Sequence, residues 1–196
     1  SERKAIRRQK APALWRAMKR RALELKADPR LLPQSSLGKA VYATRSFAIG
    51  TTLMEFTGPR YHASEVHSNR WGEDDRFVQI DVDHYMGPSG GLDDLVNHSC
   101  HPNAGLRFTE DGVFLIAIRP IQAGDEVCWD YSTTLSNTAF YMRCQCGVPQ
   151  CRQVIGDFAF LEPELQEHYR ALNLVPTYLR NAAGATKVAQ DQTLAA

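Results

Sequence analysis

Apolar residues recur at two different spacings along this chain, and the change between them divides it. Over 12–26, PALWRAMKRRALELK, the stripe Leu14, Met18, Ala22 and Leu25 follows one face of a helix, with Arg and Lys on the other. Pro12 suits the first turn, and Asp28-Pro29 and Pro33 end the element. From Lys39 the texture becomes short β-rich runs: KAVYAT (39–44) and TTLMEF (51–56), separated by Ser46 to Gly50, then RFVQIDV (76–82). GLRFTEDGVFLIAI (105–118) predicts a hairpin with Asp111-Gly112 as its type I′ turn. DEVCWDY (125–131) follows a turn at Gly124 and predicts a further strand. The connections at 59–75 and 83–96 are long and polar, which in a compact domain points to function. A second helix starts at Pro163, with Leu165, Tyr169 and Leu172 on one face. Residues 181–196 are small and polar and predict disorder.

Composition leaves this picture of a globular domain unchanged, with 196 residues, 43% hydrophobic and 23% charged. No apolar run approaches the roughly 20 residues that cross a bilayer, so no membrane association is expected. Charge changes the picture more. The net value of +1 conceals a basic arm on an acidic body: residues 1–30 hold 11 Lys and Arg against 3 acids. Within 73–94, Glu73, Asp74, Asp75, Asp81, Asp83, Asp93 and Asp94 face a single Arg76. Such an arm suits anionic partners, and such a body cationic ones.

The chemistry concentrates in Asn97-His98-Ser99-Cys100-His101-Pro102-Asn103, where two amides, two imidazoles and a thiol crowd together. A second concentration is C-x-C-x4-C at Cys144, Cys146 and Cys151, with Gly147 and Pro149 supplying a turn. Closely spaced thiolates suit zinc, and a closed structural site needs a fourth ligand. Cys128 alternates with Val127 and Trp129 as a small strand hydrophobe, so Cys100 is the expected fourth. The odd cysteine count argues against a secreted disulfide framework and for a reduced, intracellular setting.

With these pieces in place, the chain resembles the SET-domain protein lysine methyltransferases. Residues 97–103 match the family's NHSCxPN motif, and GDEVCWDY (124–131) its G-E-E-x-x-x-D-Y motif. LGKAVYATRSFAIGTTLMEFTG (37–58) is similar to the family's opening strands, and 144–152 to its post-SET zinc motif. No cysteine-rich pre-SET module precedes them in this sequence. The resemblance implies a mainly β (β+α) fold of several short sheets with a knot-like core, in which the NHSC segment and the D-Y strand run side by side. It also implies an order of parts: a basic helical extension (1–34), a SET domain (35–135), a post-SET zinc segment (136–156), a C-terminal helical extension (157–180) and the tail.

The activity so implied is methyl transfer from S-adenosyl-L-methionine to a lysine side-chain amine, leaving S-adenosyl-L-homocysteine. The substrate class is a lysine-containing protein or peptide, a histone among the candidates. The basic N-terminal helix offers contact with DNA or nucleosomes. A nuclear location follows for a eukaryote, and a cytoplasmic or secreted-effector role for a bacterium. Carried over residue by residue, Gly38, Lys39 and Ala40 stand at the cofactor's G-x-G. Asn97, His98 and Gln145 hold the cofactor, with Phe77 beside it, and Tyr131 is the catalytic tyrosine that also meets the cofactor. Phe56 and Trp129 line the lysine pocket. Cys100, Cys144, Cys146 and Cys151 hold one structural zinc. Trp129 stands where the family usually has Phe or Tyr, and its bulk implies mainly mono-methylation, with some di-methylation. Ala40 replaces a glycine, Phe56 and Phe77 replace tyrosines, and Asp94 replaces an arginine. These departures keep open a catalytically weak SET scaffold binding a cationic peptide. A third reading, a zinc-containing nucleic-acid binder, rests on the basic arm and the cysteines alone.

Overall fold

The computed structural model describes residues 25–28, 40–66, 76–136 and 142–182. Most of the expected helix 12–26, together with Gly38 and Lys39, lies outside the described residues. Strand β1 (Leu25–Asp28) pairs antiparallel with β2 (Ala40–Ala43), in a register from Leu25↔Ala43 to Asp28↔Ala40. Leu25 and Lys26, expected as the end of the helix, are therefore strand: the open edge of β2 supplies a backbone ladder that overrides a local helical stripe. On its other side β2 meets the chain at 124–127. Val127 N–H donates to the Val41 carbonyl (2.8 Å) and Ala43 N–H to that of Asp125 (2.9 Å).

β3 (Thr52–Phe56) buries Leu53, Met54 and Phe56. A small insert sheet follows, made of β4 (Arg60–His62), β5 (Val78–Gln79) and β6 (His84–Met86) in the order β4-β6-β5, with one helical turn, α1 (Ala63–Val66), after β4. The RFVQIDV run thus yields only two strand residues. Ile80 and Asp81 N–H groups both donate to His84 C=O, which turns the chain back into β6.

A 3-10 turn at Leu92–Leu95 leads into β7 (Asn97–His98). β8 (Ala104–Thr109) and β9 (Gly112–Ala117) form the expected hairpin and extend β3 into a sheet of order β3-β9-β8. Its turn differs from the expectation. Thr109 pairs with Gly112, so the two loop residues are Glu110 and Asp111, and neither has the positive φ that a type I′ turn needs. Thr109 fixes this turn: its Oγ1 accepts from Asp111 N–H (3.2 Å) and donates to Gly112 C=O (3.1 Å), while Gly112 takes φ +149°.

β10 is confined to Cys128–Trp129 and runs parallel to β7, with Cys128↔Asn97 and Trp129↔His98. The NHSC segment and the D-Y strand do run side by side. The longer strand expected over 125–131 ends early because Tyr131 opens a 3-10 turn, Tyr131–Thr133. Asp130 caps it, its carboxylate accepting from Ser132 N–H at 3.1 Å. β11 (Met142–Arg143) and β12 (Val154–Ile155) then close the cysteine loop between them. Helices α2 (Pro163–Ala171) and α3 (Thr177–Ala182) complete the described chain. α3 takes the first two residues of the 181–196 tail, and the rest of the tail lies outside the described residues. Among the described residues no helix is long and apolar enough to cross a membrane.

The main core gathers Val41, Leu53, Leu106, Leu115, Ile121 and Val127 between β2 and the three-stranded sheet. A second core joins Phe158, Leu161, Tyr169, Leu174 and Leu179. The two meet at Gly105 of β8, where a Cβ would fall 2.5 Å from the Leu174 side chain. The C-terminal extension therefore packs on the sheet through a position that admits only glycine without displacement.

Candidate active site and metal centre

The parallel pairing of β7 and β10 has only two residues on each strand, so side chains hold it. Ser99 N–H donates to Trp129 C=O (3.1 Å). Asn103 clasps the second strand from both sides, its Nδ2 donating to Glu126 C=O (2.8 Å) and its Oδ1 accepting from Cys128 N–H (3.0 Å). Asn97 Nδ2 donates to the Glu126 carboxylate at 2.8 Å. Arg119 grips the end of the motif, donating from Nε to Pro102 C=O (2.8 Å) and from a terminal nitrogen to His101 C=O (2.6 Å).

His98 is buried at the centre. Tyr131 N–H donates to its Nδ1 at 3.1 Å, so the ring proton sits on Nε2, which faces Cys100 Sγ at 3.3 Å. Burial, partly opposed by Asp130, brings His98 down to about 4, and the ring is neutral near pH 7.

The same crossing brings the thiols together. One nitrogen of His98 and the sulfurs of Cys100, Cys144 and Cys146 lie within 4.8 Å of one another, and Cys151 hydrogen-bonds with the thiols of Cys144 and Cys146. Cys100 and Cys144 sulfurs are 3.6 Å apart. A tetrahedral zinc with Zn–S of about 2.3 Å requires about 3.8 Å between sulfurs, so the donor set fits the ion. Backbone N–H groups already point at the sulfurs: Arg152 donates to Cys100 (3.4 Å) and Gln153 to Cys151 (3.4 Å). Burial pushes the Cys100 thiol up to about 11. It also opposes ionisation of Cys146, but hydrogen bonds from the backbone of Cys100 and Val148 outweigh it and bring that thiol to about 7. Cys128 stands apart from the cluster, and burial raises its thiol strongly.

Tyr131 is half-buried, and its hydroxyl donates to Val96 C=O at 2.9 Å, immediately before Asn97. Trp129 lies in the main core at 3% exposure yet keeps its ring 4.8 Å from that of Tyr131, and it meets Phe56 edge-on at 6.1 Å. It is thus both core residue and site neighbour. Phe77 sits toward the insert sheet, edge-on to Tyr61 at 5.8 Å. Ala40 is buried at the start of β2. Gln145 is exposed between the two buried or half-buried thiols of Cys144 and Cys146. His98, Ser99, Glu126, Cys128, Cys146 and Val148 are among the residues lining a cleft between the motif and the cysteine loop.

Several residues that build this centre were not among the expected site residues. Asp130, 1% exposed, accepts from Arg152 (2.7 Å) and from the Tyr169 hydroxyl (2.9 Å). Asp93 accepts from Thr57 N–H (2.9 Å), and Asp94 from the N–H groups of Ser89 (2.9 Å) and Gly90 (2.8 Å). Two of the acids in the 73–94 run are therefore committed to shaping the loop before the motif. Asp130 was marked in advance by its place in the D-Y motif, whereas Arg152 and Tyr169 lie outside both motifs.

The family model of the SET domain matches residues 38–132, and this part of the chain is a SET domain. It is 29% identical over 127 residues to the histone-lysine N-methyltransferase trr of Drosophila melanogaster, an alignment covering 59% of this chain and 5% of that protein. Over 66 residues it is 42% identical to the histone-lysine N-methyltransferase ash1 of the same organism, covering 32% of this chain and 3% of that protein. The chain thus spans a small fraction of these relatives. Among solved structures it resembles KRYPTONITE, crystallised in complex with mCHG DNA and SAH, at a TM-score of 0.51 and 21% identity, over 62% of this chain and 27% of that one. That likeness concerns the fold.

Proposed function

We propose that the chain is an S-adenosylmethionine-dependent protein-lysine N-methyltransferase acting on a histone or another lysine-bearing protein. One observation carries the reading: the two motif segments pair in parallel, Asn97 with Cys128 and His98 with Trp129, and the Tyr131 hydroxyl reaches back to Val96 C=O at the entry to that pairing. When bound, S-adenosylmethionine supplies a methyl group on a sulfonium, which a neutral lysine amine takes in line, the electron pair of the broken bond leaving with sulfur. The chain's part is to position, desolvate and orient, with the Tyr131 oxygen accepting from the amine. Asn97, His98 and Gln145 are the described residues proposed to hold the cofactor, and Ala40 and Phe77 join them on the family resemblance. Phe56 and Trp129 wall the lysine side. Cys100, Cys144, Cys146 and Cys151 are proposed as the zinc ligands, since their soft thiols gather in one cluster. The zinc would fix the cysteine loop that forms one wall of the cleft.

The relatives' names support a nuclear setting and a histone substrate, and the basic arm supports contact with nucleosomal DNA. Radiolabelled S-adenosylmethionine with histones, ribosomal proteins and whole lysate tests the activity. Label is expected on lysine, and Tyr131→Phe should slow transfer about tenfold or more with S-adenosylhomocysteine affinity within twofold. Tight S-adenosylhomocysteine binding with no transfer to any protein would favour the cationic-peptide scaffold instead, a reading that Phe56, Phe77 and Ala40 support.

A further inference from the structure

Three separate parts of the chain converge on Asp130, and two of them lie beyond residues 38–132. Its side chain has no solvent exposure. Oδ1 accepts from the guanidinium of Arg152, next to Cys151, at 2.7 Å and from Ser132 N–H at 3.1 Å. Oδ2 accepts from the hydroxyl of Tyr169, on α2, at 2.9 Å. His98 Nδ1 lies 3.5 Å from Oδ1. A carboxylate without water keeps its orientation only through such donors.

That orientation reaches Tyr131 from both sides. Asp130 caps the turn that begins at Tyr131, and it also lies against the imidazole to which Tyr131 N–H donates. The Tyr169 ring has a separate occupation: it fills the C-terminal core with Phe158, Leu174 and Leu179. A phenylalanine would fill that space equally, so the hydroxyl serves Asp130 alone.

We infer that Tyr169 is a positioning residue for methyl transfer, acting through Asp130 to hold the turn that aims the Tyr131 hydroxyl. The C-terminal helix is then part of the reaction's scaffold, although it lies outside the matched domain. The rate readout of this inference rests on the methyltransferase reading above.

Tyr169→Phe in the full, zinc-loaded chain tests it. The expected result is a kcat lowered about fivefold or more, with peptide KM, S-adenosylhomocysteine affinity and zinc content each within twofold. Leu165→Ala, which loosens the same helix without touching Asp130, should keep kcat within twofold well below its melting temperature. A crystal structure of Tyr169→Phe should show the Tyr131 hydroxyl moved out of hydrogen-bond distance of Val96 C=O. An unchanged kcat, an equal loss in Leu165→Ala, or an unmoved hydroxyl would overturn the inference. If the unaltered chain transfers no methyl group, it is the methyltransferase reading that fails. The hydroxyl position in the crystal structure then decides the positioning role by itself.

Discussion

The β8–β9 hairpin and the β7–β10 crossing sit side by side in the fold and are held by opposite means. The hairpin pairs six residues with six, from Ala104↔Ala117 to Thr109↔Gly112, and buries Leu106, Val113 and Leu115 in the main core. Its bonds are local and redundant. The crossing pairs two residues with two, in parallel, with residues 99–127 between them. It depends on single polar side chains: Asn103 across to 126 and 128, Asn97 to Glu126, and His98 to Tyr131. Redundant apolar pairing tolerates the loss of one contact, whereas each polar clasp has a unique partner left buried when it goes. The NHSC motif and the candidate catalytic tyrosine lie on the second kind of structure.

The largest effect should come from removing the zinc proposed to anchor the crossing's outer edge. Structural zinc is worth on the order of 10 kcal/mol of folding free energy in small domains. Cys144→Ser should bring zinc from one per chain to none by elemental analysis, weaken S-adenosylhomocysteine binding at least tenfold, and open the 142–155 loop to protease. Cys128→Ser should keep its zinc. Equal loss of zinc in both variants would mean that the cluster has been drawn around the wrong thiols.

Next comes a direct contest between the two regions. Asn103→Ala strips two bonds from the crossing and should cost about 2–3 kcal/mol in urea unfolding of the metal-loaded chain. Thr109→Ala removes the hydroxyl from an exposed hairpin turn and should cost about 0.5 kcal/mol or less. Similar values for the two variants would erase the distinction.

The smallest effect concerns product choice. Trp129→Phe should shift mass-spectrometric products from mono- toward di- and trimethyl-lysine, because the smaller ring frees space beside Tyr131. Abundant trimethyl product from the unaltered chain would end that reading. A countervailing attraction between the indole face and a methylated ammonium is weaker than a steric block.

The hairpin and the crossing also differ in how far the sequence revealed them. Alternating apolar residues located β2, β3, β8 and β9, since the energy that forms those strands comes from burying one face of each. Cysteine spacing and the Asn97–Asn103 motif pointed to the candidate site. The pattern could not reveal that Tyr131 leaves its strand, because the cause is the Asp130 cap and its partners at 152 and 169. Nor could it show that Asp93 and Asp94 serve the loop's own backbone, since charge is visible in a sequence and its recipient is not. The displaced hairpin turn has the same origin: Thr109 competes for the chain just before Asp111-Gly112, and its hydroxyl decides the register. Strand β1 is a further case, in which a helical stripe yields to an available sheet edge at Leu25.

The enclosure of the hairpin within the 99–127 loop carries a consequence for how the molecule is made. A chain closing β7 against β10 unaided would have to order that whole loop at once. With β8 and β9 already zipped, most of the loop is gathered beforehand and the remaining closure is short. Assembly is therefore expected to run from the local ribbon to the distant clasp. Substitutions in the ribbon should slow folding, and those in the clasp should mainly hasten unfolding. On that order the candidate active site would be the last part to form and the first to come undone.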